Sequence, residues 1–294
     1  MMKYFVHSLY HFSCVSGPHY DYIDEKGKIS VWKLGSHTAI NIMPNLLDGT
    51  TVKPYPTFIL PISKTDKQLV FTRLYQLEML PAFHRQQHWN MPLKMNKWIG
   101  YLGNTSFCWE MSFHNAITDE LIGSGVFHAV CVDKETRRPT SIKTLKPHIH
   151  KDVGAEQLTR KKAPSGFVQP DMPRDCFVKA TLVTSSCIDT NQHQNMPLYI
   201  RDCWNTACSA ACEKSLPHFD EELTNFDAKK VTVLCLGEAL LGDIMHIACW
   251  EHQDDPQIIC CTIMKESMII FQCQMEFYPQ DQTAHQPHQP LSKL

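Results

Sequence analysis

The C-terminal half of the chain carries short runs of apolar and β-branched residues that are separated by turn residues. Such runs are typical of strands, whereas the apolar spacing of Asn195–Lys214 predicts a helix. The predicted strands are Phe177–Ser185, Ala228–Leu236, Asp243–Glu251, Gln257–Lys265 and Met268–Tyr278, with a hairpin turn at Glu266-Ser267. This half is therefore expected to run strand, helix and then four strands.

The N-terminal half shows the same order of elements. The pattern predicts a strand at Lys3–Val15, a helix at Ile29–Leu47, and strands at Leu93–Leu102, Ser106–Asn115 and Gly123–Asp133. Gly103-Asn104 and Thr118-Asp119 are the expected hairpin turns. The chain therefore contains an internal repeat.

Lys67–His84 is ambiguous on its own, because its apolar spacing also fits a helix. Its β-branched and aromatic residues favour a strand. Aligning Val70–Leu80 with Lys230–Leu240 places Glu78 on Glu238 and Leu74 on Leu234. The repeat therefore supports a strand here.

This order predicts an α+β protein, because strands follow one another instead of alternating with helices. An antiparallel sheet that wraps around a helix buries the apolar face of that helix, and two such units form a pseudo-symmetric body. We expect an N-terminal domain at 1–145, a linker at 146–175, a second domain at 176–279 and a disordered tail at 280–294.

Composition narrows the function classes. Of 294 residues, 43% are hydrophobic and 20% charged, and the formal net charge is −2, so no nucleic-acid partner is expected. No apolar stretch of about 18 residues predicts a membrane span. The 13 cysteines form no CxxC pair and indicate buried, unpaired thiols in a reducing compartment. His148 and His150 lack further ligands at suitable spacing, so no metal site is predicted. No other cofactor is expected for this chain.

Three polar side chains stand at the entry of the second predicted helix: Asp189, Asn191 and His193. A helix N-terminus has unpaired N–H groups and a partial positive charge, which stabilise a developing oxyanion. Asp, Asn and His beside it can hold a water molecule or a reacting carbonyl group. The same residues also serve as ordinary caps and turn formers, and the trio alone leaves both interpretations open.

The last three residues are Ser292, Lys293 and Leu294. This tripeptide is the peroxisomal address that an import receptor binds. It follows a segment rich in Gln, His and Pro, which would leave it exposed. We expect a peroxisomal protein, and a cytoplasmic one if the tripeptide does not function.

Three stretches resemble the plant and bacterial acyl-ACP thioesterases, which carry two hotdog domains in one chain. Asp189–His193, followed by Asn195 and Tyr199, resembles the D-x-N-Q-H-x-N…Y signature of that family at its second hotdog helix. Glu238 in GEALLGD lies where the family has its catalytic glutamate, on the second strand. Gly103–Pro139 is similar to the closing strands of a hotdog domain.

The resemblance implies two tandem hotdog domains and hydrolysis of acyl thioesters at a site in the second one. By this resemblance Glu238 activates a water molecule or attacks directly, Asn191 and His193 position the thioester or the water, and Asp189 orients Asn191. Asn195 and Tyr199 are expected to contact substrate. A glutamate whose pKa is raised in an apolar pocket suits base chemistry near neutral pH.

The sequence also departs from the family pattern. Cys187 stands where the family has an acidic residue, and Met196 replaces a second asparagine. In the first half, Asp24, Lys26 and Lys28 align with the catalytic trio, and two lysines cannot replace Asn and His. One active site per chain is therefore expected.

The first half is expected to shape an acyl tunnel. The aromatic candidates for its lining are Trp98, Trp109, Phe107 and Phe113. Ordinary core packing explains the same aromatic residues equally well.

The substrate is expected to be a fatty acyl-CoA, because acyl-CoAs are abundant in peroxisomes, or else an acyl-ACP. Two alternatives stay open: an R-specific enoyl-CoA hydratase, and a non-catalytic acyl-binding protein of the same fold. The hydratase signature has two residues between Asn and His, whereas only Gln192 intervenes here. The pairing of hotdog units is satisfied within one chain, so a monomer or a homodimer is expected.

The C-terminal address gives the first prediction. Deleting Ser292–Leu294 from a protein tagged at its N-terminus should change a punctate distribution in cells to a diffuse one, because the import receptor loses its ligand. Fluorescence microscopy beside a peroxisomal marker measures this. An unchanged punctate pattern would refute the address.

Overall fold

The computed structural model describes residues 3–8, 11–16, 30–33, 68–84, 92–142, 159–189, 191–219 and 222–280. These residues form one antiparallel sheet of eleven strands. The strands of the first half are β1 (Lys3–Ser8), β2 (His11–Ser16), β3 (Gln68–Met79), β4 (Leu93–Leu102), β5 (Ser106–Asn115) and β6 (Leu121–Asp133). Those of the second half are β7 (Phe177–Leu182), β8 (Ala228–Cys235), β9 (Ile244–Glu251), β10 (Ile258–Lys265) and β11 (Met268–Phe277).

Two α-helices accompany the sheet in the described ranges: α1 (Pro81–His84), which follows β3, and α2 (Met196–Cys212), which follows β7. Short 3₁₀ turns lie at Ser185–Cys187 and Leu223–Asn225. Of the predicted helix Ile29–Leu47, only residues 30–33 are described, and Val31–Lys33 are helical. Asp24, Lys26, Lys28 and the C-terminal tripeptide lie outside the described residues.

The two halves of the sheet repeat one strand order on either side of the β3–β8 pair. Outward from that pair, the first half runs β3, β6, β5, β4 and β2, and the second runs β8, β11, β10, β9 and β7; β1 adds one further strand beside β2. The predicted pseudo-symmetric architecture is confirmed. Lys3–Val15 was expected as one strand, and that expectation is wrong, since the segment forms the hairpin β1–β2.

The register of the β3–β8 pair corrects the predicted alignment of the repeat. Pairing covers Leu74–Glu78 and Lys230–Leu234, and Gln76 lies opposite Thr232 at its centre. A two-fold relation makes the central residues equivalent, so the alignment of Glu78 with Glu238 is wrong by four residues. Glu238 lies beyond the end of β8, in the loop 236–243, and not on a strand.

Helix α2 packs its apolar face on the second half of the sheet, against β7, β9, β10 and β11. Its buried positions recur every three or four residues, which matches the helical period; among them are Ile200, Cys203, Ala207, Ala210 and Ala211. The small side chains let the helix approach the sheet closely. Full burial of Ile200 contributes about 1.5–3 kcal/mol to this packing.

Four thiols meet between α2 and the sheet, and we call them the thiol cluster: Cys203, Cys249, Cys261 and Cys273. All four are fully buried, and Cys261 lies opposite both Cys249 and Cys273 in the sheet. Burial raises the pKa of Cys203 well above its usual value, which keeps that thiol uncharged and unreactive. No disulfide joins any of the twelve cysteines whose side chains are described.

Residues 159–176 form a strap over the outer face of the sheet. Thr159 and Arg160 donate hydrogen bonds to the Glu110 carboxylate on the first half. Farther along, a Cβ added at Gly166 would lie 2.8 Å from Leu234 Cδ2, and Gln169 donates to the carbonyl oxygen of Cys261 at 3.1 Å. The described part of the predicted linker is therefore fastened to both halves. The predicted domain boundaries remain predictions.

No helix among the described residues is long and apolar enough to span a membrane.

The packing of β6 against β3 gives a stability prediction. A Cβ at Gly123 would lie 2.6 Å from the backbone oxygen of Glu78, which cannot move without disturbing the ladder. Gly123→Ala should therefore lower the free energy of unfolding by about 1–3 kcal/mol, measured by urea unfolding with a reductant present. Ser124→Ala, on the opposite side of the same strand, is the control. Equal unfolding midpoints for the two variants would contradict the prediction.

Candidate active site

The segment from Asp189 to His193 forms a closed loop at the entry of α2. The Asn191 N–H donates to Asp189 Oδ1 at 2.7 Å, and the Asp189 N–H donates to the carbonyl oxygen of His193 at 3.0 Å. Gln192 adopts a positive φ of 66° at the turn. Ile188 and Gln194 close the loop as an isolated β-bridge. The loop therefore groups the predicted residues Asp189, Asn191 and His193 in one turn.

A buried polar group anchors this loop to the first turns of α2. Gln194 Nε2 donates to Asp202 Oδ2 at 2.9 Å, and the Arg201 guanidinium donates to Asp202 Oδ1 at 2.8 and 2.9 Å. Gln194 is 1% exposed, so its position is fixed by this contact. Sequence analysis missed Gln194 and Asp202. The available signal was a carboxylate on the otherwise apolar face of a helix.

Two backbone hydrogen bonds of Ala239 hold the loop of Glu238 beside the same helix entry. The Gln194 N–H donates to the carbonyl oxygen of Ala239 at 2.9 Å, and the Ala239 N–H donates to the Tyr199 hydroxyl at 2.8 Å. Ala239 is fully buried. The fold therefore places Glu238 next to the Asp189–His193 loop, although Glu238 comes from a distant part of the chain.

Tyr199 was predicted to contact substrate, and the structure places it under the Glu238 loop. Its ring stacks on Phe271 with centroids 5.0 Å apart. Burial raises its pKa, which keeps the phenol neutral and able to accept the Ala239 hydrogen bond. Asn195 is the N-cap residue of α2, and its side chain makes no cap hydrogen bond.

Hydrogen bonds also fix both ends of the Glu238 loop. The N–H groups of Leu236 and Gly237 donate to the carbonyl oxygen of Ile270 at 2.9 Å. The Asp243 carboxylate accepts from the Leu240 N–H at 2.7 Å and from Lys265 Nζ at 2.8 Å. These two hydrogen bonds lower the pKa of Asp243. The loop is thus tied at both ends, and Glu238 has a defined position.

The first half contributes two side chains that the sequence analysis did not select. The Phe71 ring lies 4.9 Å from the His193 ring, centroid to centroid. Arg137 Nη1 lies 3.7 Å from Glu238 Oε2, and the Arg137 guanidinium lies 5.4 Å from the centre of the Phe71 ring. The site is therefore built from both halves. Arg137 was quoted only within the segment Gly103–Pro139, which carried no functional signal of its own.

The hydrogen bonds of His193 define the form of its ring. Nδ1 lies 3.0 Å from the carbonyl oxygen of Gln194, which can only accept, so Nδ1 carries a proton. Asp189 Oδ2 lies 3.9 Å from the same nitrogen. In the part of the chain that the structure describes, His193 Nε2 and Glu238 Oε2 are buried atoms without a hydrogen-bond partner. Buried polar atoms without partners are costly, and they mark where a bound molecule can supply the missing hydrogen bonds.

Cys187, at the position where the sequence resemblance predicts an acidic residue, has a structural role. Its Sγ accepts from Arg201 Nη2 at 3.6 Å and lies 3.5 Å from Thr184 Oγ1. Burial raises the pKa of the Cys187 thiol, but hydrogen bonds from Thr184 and Arg201 together outweigh this, and the pKa lies below its usual value. The thiol therefore serves as the acceptor for Arg201.

The predicted tunnel aromatics divide between the two faces of the sheet. Phe107, Trp109 and Phe113 are buried in the main core on the inner face. Trp98 lies on the outer face, where its Nε1 donates to Glu110 at 2.9 Å beside the strap. The prediction that Trp98 lines an interior tunnel together with Trp109 is therefore wrong.

The described residues contain no group of His, Cys, Asp and Glu side chains suited to a metal ion.

Two solved structures share this architecture over nearly their whole length. An acyl-ACP thioesterase from Bacteroides thetaiotaomicron superposes with a TM-score of 0.66 at 12% identity, over 91% of this chain and 98% of that chain. The 12:0-ACP thioesterase from Umbellularia californica superposes with a TM-score of 0.69 at 14% identity, over 93% and 99%. No protein-family model and no curated protein matches the sequence. At these identities the likeness establishes the fold, and the expected double-hotdog architecture is confirmed.

The support of the Glu238 loop by Tyr199 can be tested directly. Tyr199→Phe keeps the ring on Phe271 but leaves the buried Ala239 N–H without an acceptor, which should cost about 1–3 kcal/mol of unfolding free energy. Hydrogen exchange of the Ala239 amide, followed by NMR, should become faster.

Tyr278→Phe is the matched control, because its hydroxyl also binds backbone, the carbonyl oxygen of Met79, away from this loop. Unchanged exchange of the Ala239 amide in Tyr199→Phe would show that the hydroxyl does not hold the loop.

Proposed function

We propose that this protein hydrolyses fatty acyl thioesters to a free fatty acid and a thiol. The observation that carries the proposal is the Ala239 contact, which brings Glu238 to the loop of Asp189, Asn191 and His193. The two neighbouring loops of the second half then contribute a carboxylate, an amide and an imidazole beside a helix N-terminus, which supports the proposal. Attack of water on a carbonyl carbon requires groups of these kinds, which remove a proton from the water and stabilise the oxyanion.

The proposed reaction needs only water as co-reactant. Glu238 takes a proton from a water molecule as the water oxygen bonds to the carbonyl carbon of the thioester. The carbon–sulfur bond then breaks, and the leaving sulfur takes the proton that Glu238 removed from the water. In the covalent variant, Glu238 attacks first and water hydrolyses the resulting anhydride. Both variants give the same products.

The other residues hold the reactants. His193 carries its proton on Nδ1, so its buried Nε2 can accept a hydrogen bond from the attacking water. Asp189 fixes the Asn191 backbone, and the Asn191 side chain is available to bind the thioester or the water. The N-terminus of α2 favours negative charge that develops on the carbonyl oxygen.

We propose a fatty acyl-CoA as the substrate, and an acyl-ACP if the protein is not imported into peroxisomes. The C-terminal Ser-Lys-Leu supports the first choice. The two similar solved structures are enzymes named for acyl-ACP, which supports the second. The fatty acyl group is common to both.

The decisive experiment measures thiol release from saturated acyl-CoAs of increasing chain length and from the matching acyl-ACPs. Purified protein should release thiol, and Glu238→Gln should lower kcat by at least about 100-fold, because the amide cannot accept the proton of water. Glu266→Gln, which removes the same charge from the β10–β11 turn, should keep full activity.

Hydration of an enoyl-CoA without thiol release would instead assign the protein to the hydratase alternative. Acyl-CoA binding without turnover, unaffected by Glu238→Gln, would assign it to the binding alternative. Either result would contradict the proposal.

A further inference from the structure

The turn after β6 holds Arg137 in one position. The Arg137 N–H donates to the carbonyl oxygen of Asp133 at 2.9 Å, and the Asp133 N–H donates to that of Arg138 at 2.9 Å. Asp133 Oδ1 also accepts from the N–H groups of Glu135 and Thr136. These hydrogen bonds close the turn, so the backbone of Arg137 has a fixed position from which its side chain reaches the second half.

This arrangement is not explained by stability. Arg137 adopts a positive φ of 55°, a conformation that costs energy for a residue other than glycine. The ion pair that it makes is partly exposed, at 38% for Arg137 and 33% for Glu238, and such pairs contribute little to folding. The contact therefore calls for an explanation in terms of the site.

Arg137 and Phe71, both from the first half, contact the two residues to which the proposed chemistry is assigned, Glu238 and His193. Arg137 faces the carboxylate of Glu238, and Phe71 contacts both the Arg137 guanidinium and the His193 ring. An Arg–Phe–His series of contacts thus connects Glu238 to His193 through the first half.

We propose that Arg137 is a positioning residue for the hydrolysis, and this inference rests on the proposed function. Its guanidinium attracts the Glu238 carboxylate and fixes the direction in which that group meets the attacking water. Phe71 contacts both the guanidinium and the His193 ring and helps to hold them in place. The first half therefore contributes to the chemistry as well as to the shape of the substrate site.

The experiment compares Arg137→Ala and Arg137→Lys with Arg138→Ala, which removes the same charge from the same turn. Kinetics are measured on the acyl thioester that the unmodified protein hydrolyses best. Arg137→Ala should lower kcat by about 10- to 100-fold with little change in KM, because a displaced catalytic group slows chemistry without weakening binding. Arg137→Lys should retain more activity, and Arg138→Ala should match the unmodified protein.

Added guanidinium ion, at millimolar and non-denaturing concentration, should partly restore kcat of Arg137→Ala. Guanidinium should not restore kcat of Phe71→Leu, because that variant loses activity although it still carries the Arg137 guanidinium. A purely structural defect would not respond to guanidinium, and the melting temperatures of Arg137→Ala and Arg138→Ala should be similar.

Three results would overturn the inference: an unchanged kcat in Arg137→Ala, an equal loss in Arg138→Ala, or a loss that neither guanidinium nor lysine restores. A rise in KM alone would assign Arg137 to binding of the carrier and would also overturn it. If the unmodified protein hydrolyses no acyl-CoA and no acyl-ACP, the proposed function fails and this inference fails with it. That outcome is visible before any variant is made.

Discussion

The antiparallel pairing of β3 with β8 determines where everything else lies. Only five residues of each strand are paired, yet this ladder joins a six-stranded and a five-stranded unit into one continuous sheet. It also brings the first-half residues Phe71 and Arg137 against the second-half residues His193 and Glu238. Each half alone would expose an unpaired strand edge and an incomplete site. The candidate chemistry is therefore a property of the joined sheet.

The candidate catalytic groups lie on loops, and buried hydrogen bonds hold those loops in place. Neither Glu238 nor the Asp189–His193 loop belongs to a strand or helix. The loop depends on Gln194 and Asp202, and Glu238 depends on the two backbone groups of Ala239. A buried N–H or C=O that loses its partner costs about 1–3 kcal/mol, so alternative loop positions are disfavoured.

The sequence was sufficient to predict most of the strands and α2, because β-branched runs and a helical apolar period are local signals. It was not sufficient for register. Alternating strands match themselves at every shift of two residues, which allowed Glu78 to be aligned with Glu238 four positions away from the observed register. The Asp189–His193 trio was recognisable because a helix entry is also local.

The errors at Trp98 and Arg137 have different causes. Lys97 is fully buried on the inner face of β4, and a lysine is normally expected on the outside. Because side chains alternate along a strand, the inward position of Lys97 leaves Trp98 on the outer face. Arg137 reaches Glu238 only through a turn with positive φ and a contact between residues 101 positions apart in sequence, so no local pattern indicates it.

The thiol cluster affects the irreversible inactivation of the protein after unfolding, and not its proposed activity. In the folded state all four thiols are fully buried, and burial raises the pKa of Cys203 well above its usual value, so the cluster does not react. Once the chain unfolds, each regains the ordinary reactivity of a free cysteine, and dissolved oxygen can oxidise cysteines of two chains to a disulfide before the chains refold. Heat resistance measured without reductant then reflects a rate of irreversible loss and not an equilibrium. A reductant that never contacts the native core still protects the protein, because it acts on the unfolded chains.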